Sequence, residues 1–361
     1  MTHSLYVHIP FCNEICSYCD FCKVLYQSQW VDDYLDKLDE ELYQKEENLL
    51  YTIYIGGGTP SSLSCMQLKR LMNMLKYYSY RVKEYTVEVN PESMNEEKLK
   101  ILYDGGVTRL SIGVQTFQEE LLEPLHRRHH NKDVFDLMTK AKEIGFQNIS
   151  IDMMYGLPYQ TQKHIQNDLQ IIKSLDIQHI SYYSLILEEH TLLDIQHYQP
   201  IDEEKEYYYS QMIKKALYDM DFIQYEVSNY AKNGYESLHN LVYWHYEDYD
   251  GIGLGAHGKV QNRHYENTQS LTQYLKGNFL KKDIELTKED QMFETVMMGL
   301  RLVQGISLNY FFEKFNQSIE DVYGNVIQKH IENKLLKYEN ESLIATSKGL
   351  DLLHEILIDF L

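Results

Sequence analysis

Apolar residues follow two rhythms along the first half of the chain. Short runs rich in β-branched and aromatic residues recur: LYVHIP (5–10), TIYIGG (52–57), YTVEVN (85–90), RLSIGVQ (109–115), NISIDMMYG (148–156) and HISYYSL (179–185). Such runs, bounded mostly by Gly, Pro or Asn, predict strands. Between them lie longer stretches with apolar residues at helical spacing, such as DDYLDKLDEELYQ and QLKRLMNMLKYY. Alternation of this kind predicts an α/β fold with a parallel sheet and right-handed crossovers. Six units are too few for a closed eight-fold barrel. The expectation is a partial (β/α)6 barrel over residues 1–190.

The pattern changes further on. Residues 191–284 read as a connecting region. From 285 to 361 the rhythm is mainly helical, through LTKEDQMFETVMMGLRLVQGI, IEDVYGNVIQKHIENKLL and KYENESLIATSKGLDLLHEILIDFL. Helices with a short hairpin-like insert predict a small winged-helix-like module. Fold alone does not assign it a function.

Composition narrows the classes. A hydrophobic fraction of 43% in 361 residues can build a large core. No apolar run reaches membrane-spanning length and no leader with a cleavage site is visible, so a cytoplasmic location is expected. A formal net charge of −20 argues against a phosphate-backbone binder, and no nucleic acid is expected as a partner. Most of the 32 tyrosines read as packing and surface residues.

The chemistry concentrates in HIPFCNEICSYCDFC. Cys12, Cys16 and Cys19 form CxxxCxxC just after the first strand, and Cys22 follows. Three thiolates on one short loop can hold three irons of a [4Fe–4S] cluster and leave the fourth open to a small molecule. A disulfide framework fits poorly with a long chain that lacks a signal peptide. Zinc is the rival reading, but zinc sites prefer paired CxxC units or Cys/His sets across a longer loop. Cys65 reads as structural.

Other polar residues sit where parallel α/β folds bind ligands, at the carboxyl ends of strands. Gly56-Gly57-Gly58-Thr59-Pro60 follows the second strand. Glu88 and Asn90 lie late in the third, Gln115 ends the fourth, and Asp152 lies in the fifth. Each alone could be a packing residue or a cap; their shared location favours a site. Gly253-Leu254-Gly255-Ala256-His257-Gly258 matches a dinucleotide fingerprint. That fingerprint requires a strand before it and a helix after it. Neither flank reads that way, and a loop over the main site is the expectation.

Together, HIPFCNEICSYCDF, IYIGGGTPS, VEVNPE, RLSIGVQTF and IDMMYGLP resemble the radical S-adenosylmethionine (SAM) enzymes. Within them the chain is similar to the branch of oxygen-independent coproporphyrinogen III oxidase, across essentially its whole length. The resemblance implies that Cys12, Cys16 and Cys19 ligate a [4Fe–4S] cluster whose open iron takes SAM. It implies that Tyr6, Tyr18, Gly57, Gly58, Thr59, Glu88, Gln115, Arg127 and Asp152 form the SAM pocket. Arg128 competes with Arg127; the spacing from Gln115 favours Arg127. Carboxylates suit ribose hydroxyls or an ammonium, and an Arg can hold a carboxylate through two bonds.

The string His239-Asn240-Leu241-Val242-Tyr243-Trp244 resembles the HNxxYW motif of the HemW heme chaperones of this family. It implies heme contact at His239, and imidazole is a natural axial ligand. Out of context, a histidine beside Tyr and Trp is usually just a packed residue. The absence of the N-terminal extension carried by the oxidases points the same way, as does the lack of their CxxxCxxCxC pattern. Cys22 fits neither pattern and reads as a bystander. The implied function is a heme chaperone that delivers heme to apo-hemoproteins, without coproporphyrinogen oxidase activity. The alternative is the oxidase. The reading leaves open a homodimer, delivery at a membrane surface, the recipient and whether SAM is cleaved.

Overall fold

A computed structural model describes residues 3–45 and 49–361. The six expected strands form at His3–Ile9, Leu50–Gly57, Glu84–Val89, Arg109–Gln115, Asn148–Tyr155 and His179–Ser184, side by side and parallel. A seventh parallel strand was not expected. Asp248–Ile252 pairs with the outer side of His3–Ile9. Strands His257–Val260, Arg263–Asn267 and Leu280–Glu285 extend that edge antiparallel. Asn229–Ala231 and Ile223–Gln224 extend the other, giving twelve strands in one sheet. Residues 191–284 thus connect by being woven into both margins of the barrel sheet.

The strands alternate sharply between two faces. Leu5, Val7, Ile9, Ile53, Ile55, Val87, Leu110, Ile112, Ile149 and Ile151 are fully or almost fully buried in the main core. They pack there with Val31, Leu35 and Leu38 of helix Ser28–Tyr43 and Leu68 and Leu71 of helix Cys65–Leu75. The intervening residues, among them Ser4, Tyr6, Thr52, Tyr54, Glu84, Glu88, Arg109, Ser111 and Asp152, line the concave face, where Thr52 bonds to Ser4, Tyr54 to Glu88 and Ser111 to Asp152. A parallel sheet covered on both faces usually reads apolar throughout. Here one face is polar because it lines a lumen.

Local signals start the helices where expected. Ser64 and Gln67 form a capping box at Cys65–Leu75, and Asn95, Thr161 and Asp202 cap the helices that follow them.

A second core runs from Met292 to Phe360. Helices Lys288–Gly299, Leu308–Phe315 and Ile319–Glu332 pack with a hairpin of Leu336–Glu339 and Ser342–Ala345. Asn340 and Glu341 turn the hairpin with φ of 49° and 59°, the pair of positive values a tight two-residue hairpin demands. This is the winged-helix-like arrangement. The module docks on the barrel's amino-terminal end: Val303 N donates to Tyr225 O, Tyr310 hydroxyl to His245 O, and Lys214 pairs with Asp351 at 2.5 Å. Among the described residues no helix is long and apolar enough to cross a membrane.

Candidate functional site

The cysteine loop leaves the first strand at Pro10 and folds over the carboxyl end of the sheet. Cys12 is buried and receives the Thr59 hydroxyl at 3.5 Å. Arg127 Nη1 donates to Cys16 Sγ at 3.8 Å. Lys23 Nζ donates to Cys19 O at 2.5 Å, holding the loop closed. Burial pushes the Cys12 thiol up to about 11 and raises Cys19, so both stay protonated until a metal displaces the proton. Among the described residues no three ligating side chains converge on a single ion's position. A four-iron cube instead needs thiolates spread around it, which suits three cysteines on one loop.

Gly58 lies against this loop. A Cβ there would stand 2.6 Å from the Pro10 backbone and 2.9 Å from Cys12 Sγ. Gly57, at φ 114°, would drive a Cβ to 2.6 Å from the His8 ring. The double glycine therefore lets the two chain segments touch; the triple-glycine motif serves packing as well as ligand access.

Arg127 is almost fully buried. Its Nη2 donates to Gly113 O at 2.6 Å and Asn90 Oδ1 at 3.1 Å. Burial opposes its charge, but Tyr18, Cys16 and Glu92 more than offset this and keep it protonated. Arg128 is exposed and pairs with Glu14. Gln115 holds a left-handed φ of 65° and is buried; its amide nitrogen donates to the carbonyls of Gly113 and Val114. Tyr18 packs with Tyr183, Leu125, Met154 and Leu193 in a small separate cluster, and burial raises its phenol.

Glu88 accepts from Tyr54 hydroxyl at 2.7 Å and Gly57 N at 3.2 Å. Burial lifts its carboxyl to about 7, with a further push from Asp152. Burial also raises Asp152, against which the hydroxyls of Ser181 and Ser111 act; Ser111 donates at 3.2 Å. Tyr6 hydroxyl lies 3.0 Å from His8 Nδ1, and His8 Nε2 lies 2.8 Å from Cys22 O. Burial lowers His8 to about 4. The structure thus brings Cys12, Cys16, Gly58, Thr59, Gln115 and Arg127 into one group and Tyr6, Gly57 and Glu88 into an adjoining one. Cys22 packs instead against Gly255. The glycine-rich segment at 253–258 does follow a strand, Asp248–Ile252, contrary to expectation, but opens another strand rather than a helix. His257 is exposed.

His239 is the second residue of helix Leu238–Trp244, which plugs the lumen from below. The buried Glu84 caps that helix, accepting from Leu238 N and His239 N at 3.1 Å each. The His239 side chain is fully buried. Thr52 hydroxyl donates to Ser4 and lies 2.7 Å from His239 Nδ1, which assigns the ring proton to Nδ1. Nε2 then accepts the Tyr243 hydroxyl at 2.8 Å. Burial lowers the imidazole to about 3, so it is neutral. Both ring nitrogens are occupied, and the adjoining cavity of about 200 Å³ is below the range of ligand pockets, ~300–1,000 Å³. In this conformation neither ring nitrogen of His239 is open to a further ligand. His239 instead stacks on Tyr54, which touches both Glu88 and Tyr6.

Sequence reasoning missed His8, Tyr54, Ser111, Ser181 and Tyr183. The signal was present: each is an alternate residue in a strand with polar or aromatic neighbours two positions away.

Residues 6–172 match the family model of the radical SAM superfamily, and residues 286–352 that of the HemN C-terminal domain. A protein of Bacillus subtilis named heme chaperone HemW is 42% identical over 99% of both chains. A HemW of Lactococcus lactis is 39% identical, covering 99% of this chain and 97% of its own. The solved structure of coproporphyrinogen III oxidase (HemN) from Escherichia coli superposes with a TM-score of 0.87. It is 24% identical, with 99% of this chain and 90% of that one covered, a likeness of fold. With relatives this similar over full length, and with the barrel and C-terminal module in place, the chain belongs to the HemW family of radical SAM proteins.

Proposed function

We propose that this chain carries heme and passes it to apo-hemoproteins, with a SAM-bound [4Fe–4S] cluster in its barrel. The observation that carries the reading is the coverage of the likeness. The HemW relatives match the barrel, the HNLVYW helix and the C-terminal module together.

In this reading Cys12, Cys16 and Cys19 hold three irons, and SAM completes the fourth. Bound together, the two cofactors supply one-electron chemistry that side chains cannot. The chain's own residues bind and orient. Arg127 carries a fixed positive charge beside Cys16, suited to a carboxylate. Glu88, with its carboxyl near 7, and Asp152 offer acceptors for hydroxyls or an ammonium. Tyr6, Gly57, Gly58, Thr59, Gln115 and Tyr18 frame that pocket. His239 contacts it through Tyr54, and its part in heme handling is indirect.

The test uses one anaerobically reconstituted sample. Heme titration, transfer to an apo-hemoprotein and turnover of coproporphyrinogen III are measured together. Stoichiometric heme uptake and transfer without decarboxylation is expected. Conversion of coproporphyrinogen III to protoporphyrinogen IX with SAM and an electron donor would replace the carrier reading with the oxidase.

A further inference from the structure

A cavity of about 1080 Å³ lies outside the barrel lumen and opens between the base of the barrel and the C-terminal module. Its walls include Trp244 and His245 at the end of the plug helix, Ile306 and Tyr310 from the module, and Leu350 beneath them. Four of its apolar lining residues are exposed: Tyr218 (68%), Ile223 (50%), Val303 (39%) and Tyr310 (37%). Apolar side chains of this size gathered around one opening mark a binding surface rather than scattered exposure.

Two side chains give the cavity its chemistry. The His245 ring is exposed and takes no hydrogen bond or ion pair among the described residues; its backbone N donates to Leu241 O and its carbonyl accepts from Tyr310 hydroxyl. Trp244 leaves its indole nitrogen buried without a partner, while Arg301 covers its ring at 4.6 Å. A large space with an apolar side, the aromatics Tyr218, Trp244 and Tyr310, a polar rim that includes Lys337 and Glu339, and one free imidazole match a flat metallated macrocycle.

We infer that this cavity is the heme site and that His245, rather than His239, supplies the axial imidazole. The inference rests on the carrier reading above and deepens it. The two histidines sit at opposite ends of the same short helix. His239 faces a space too small for a porphyrin, and its Nε2 lone pair is taken by Tyr243. His245 faces a space about five times larger, with its nitrogens free of protein partners.

The experiment compares full-length wild type with His245→Ala, His239→Ala and Gln304→Trp, the last placing bulk on the cavity lining. Hemin is titrated into each, followed by absorption and electron paramagnetic resonance spectra. Cluster absorption and SAM binding are measured alongside. His245→Ala should lose the imidazole-ligated spectrum and at least tenfold in heme affinity, with cluster and SAM binding unchanged. Gln304→Trp should weaken uptake and leave the ligand signature of the remaining bound heme intact. His239→Ala should keep the imidazole-ligated spectrum but disturb SAM binding. Wild-type ligation and affinity in His245→Ala would overturn the inference while leaving the carrier reading standing. So would Gln304→Trp that binds heme normally but fails in transfer, which would assign the cavity to the recipient protein. Wild type that takes up no heme would sink the carrier reading and this inference together.

Discussion

The lumen of the barrel and the cavity at its base are built on opposite principles. In the lumen, polar side chains from adjacent strands bond to one another in registered layers. Ser4 meets Thr52, Tyr54 meets Glu88, and Ser111 meets Asp152. The spaces left are small, about 150 and 200 Å³. At the base, apolar and aromatic side chains share the walls with a polar rim, the space is wide, and the imidazole is uncommitted. A lumen so densely bonded is suited to holding a small polar ligand at defined atoms. A looser, wider cavity is suited to a bulky ligand that must also be released. Rigid polar preorganisation and permissive apolar contact thus sit one short helix apart.

The comparison can be broken most decisively at the cysteine loop. Cys12→Ala should abolish the cluster, read as complete loss of its iron and visible absorption, while hemin uptake at the base persists. Gly58→Ala should do nearly the same, because its Cβ would meet backbone at Pro10. Loss of hemin binding in a folded Cys12→Ala would show the two regions to be one site. Next in size is Gly57→Val. The left-handed φ alone costs ~1–3 kcal/mol, and the displaced His8 ring adds to it. A fall in melting temperature and lost SAM binding are expected; normal SAM affinity would move the pocket elsewhere.

His239→Ala follows. It strands Thr52 and Tyr243 in a buried layer, and a loss of ~1–3 kcal/mol is expected by denaturant titration. Stability equal to wild type would mean that water replaces the ring without cost and that the lumen is not tightly bonded. The subtlest test is pH. Glu88 has its carboxyl raised to about 7 in the folded chain. Between the ordinary carboxylate range and that value the folded state binds the extra proton, so the stability of the cofactor-free protein falls as pH rises through this window. Glu88→Gln should flatten that slope in melting temperature. An unchanged slope would place the titration on another group.

Much of this was legible beforehand. All six strands were readable because their β-branched runs end in turn residues, and the cysteine spacing marked a loop that folds over the carboxyl end of the sheet. Asp248–Ile252 was not, because DYDGI has only one β-branched residue and lies in a segment dominated by aromatics and acids. It is a strand by virtue of its partner, His3–Ile9. Spacing favoured Arg127 over Arg128; the structure adds that Arg127 is buried and Arg128 exposed. The role of His239 was not separable from that of His245, since both flank the same aromatics in sequence. Only the three-dimensional surroundings show that one ring is hydrogen-bonded on both nitrogens and the other is not. The cavity at the base could not be read at all, since four distant chain segments line it.

The seven-residue helix from Leu238 to Trp244 is about 10 Å long at 1.5 Å per residue. Fewer than two turns leave no room for bending, so it moves as a rod or not at all. Glu84 fastens one end, where Tyr54 of the lumen stacks on His239, while the other end carries Trp244 and His245. Any push on His239 from above is a displacement of the wall below. If the rod shifts, filling either chamber changes the affinity of the other by the same factor, in both directions. Hemin affinity measured with and without SAM, and SAM affinity measured with and without hemin, should then differ by one common ratio. No difference in either would mean that the rod stays still.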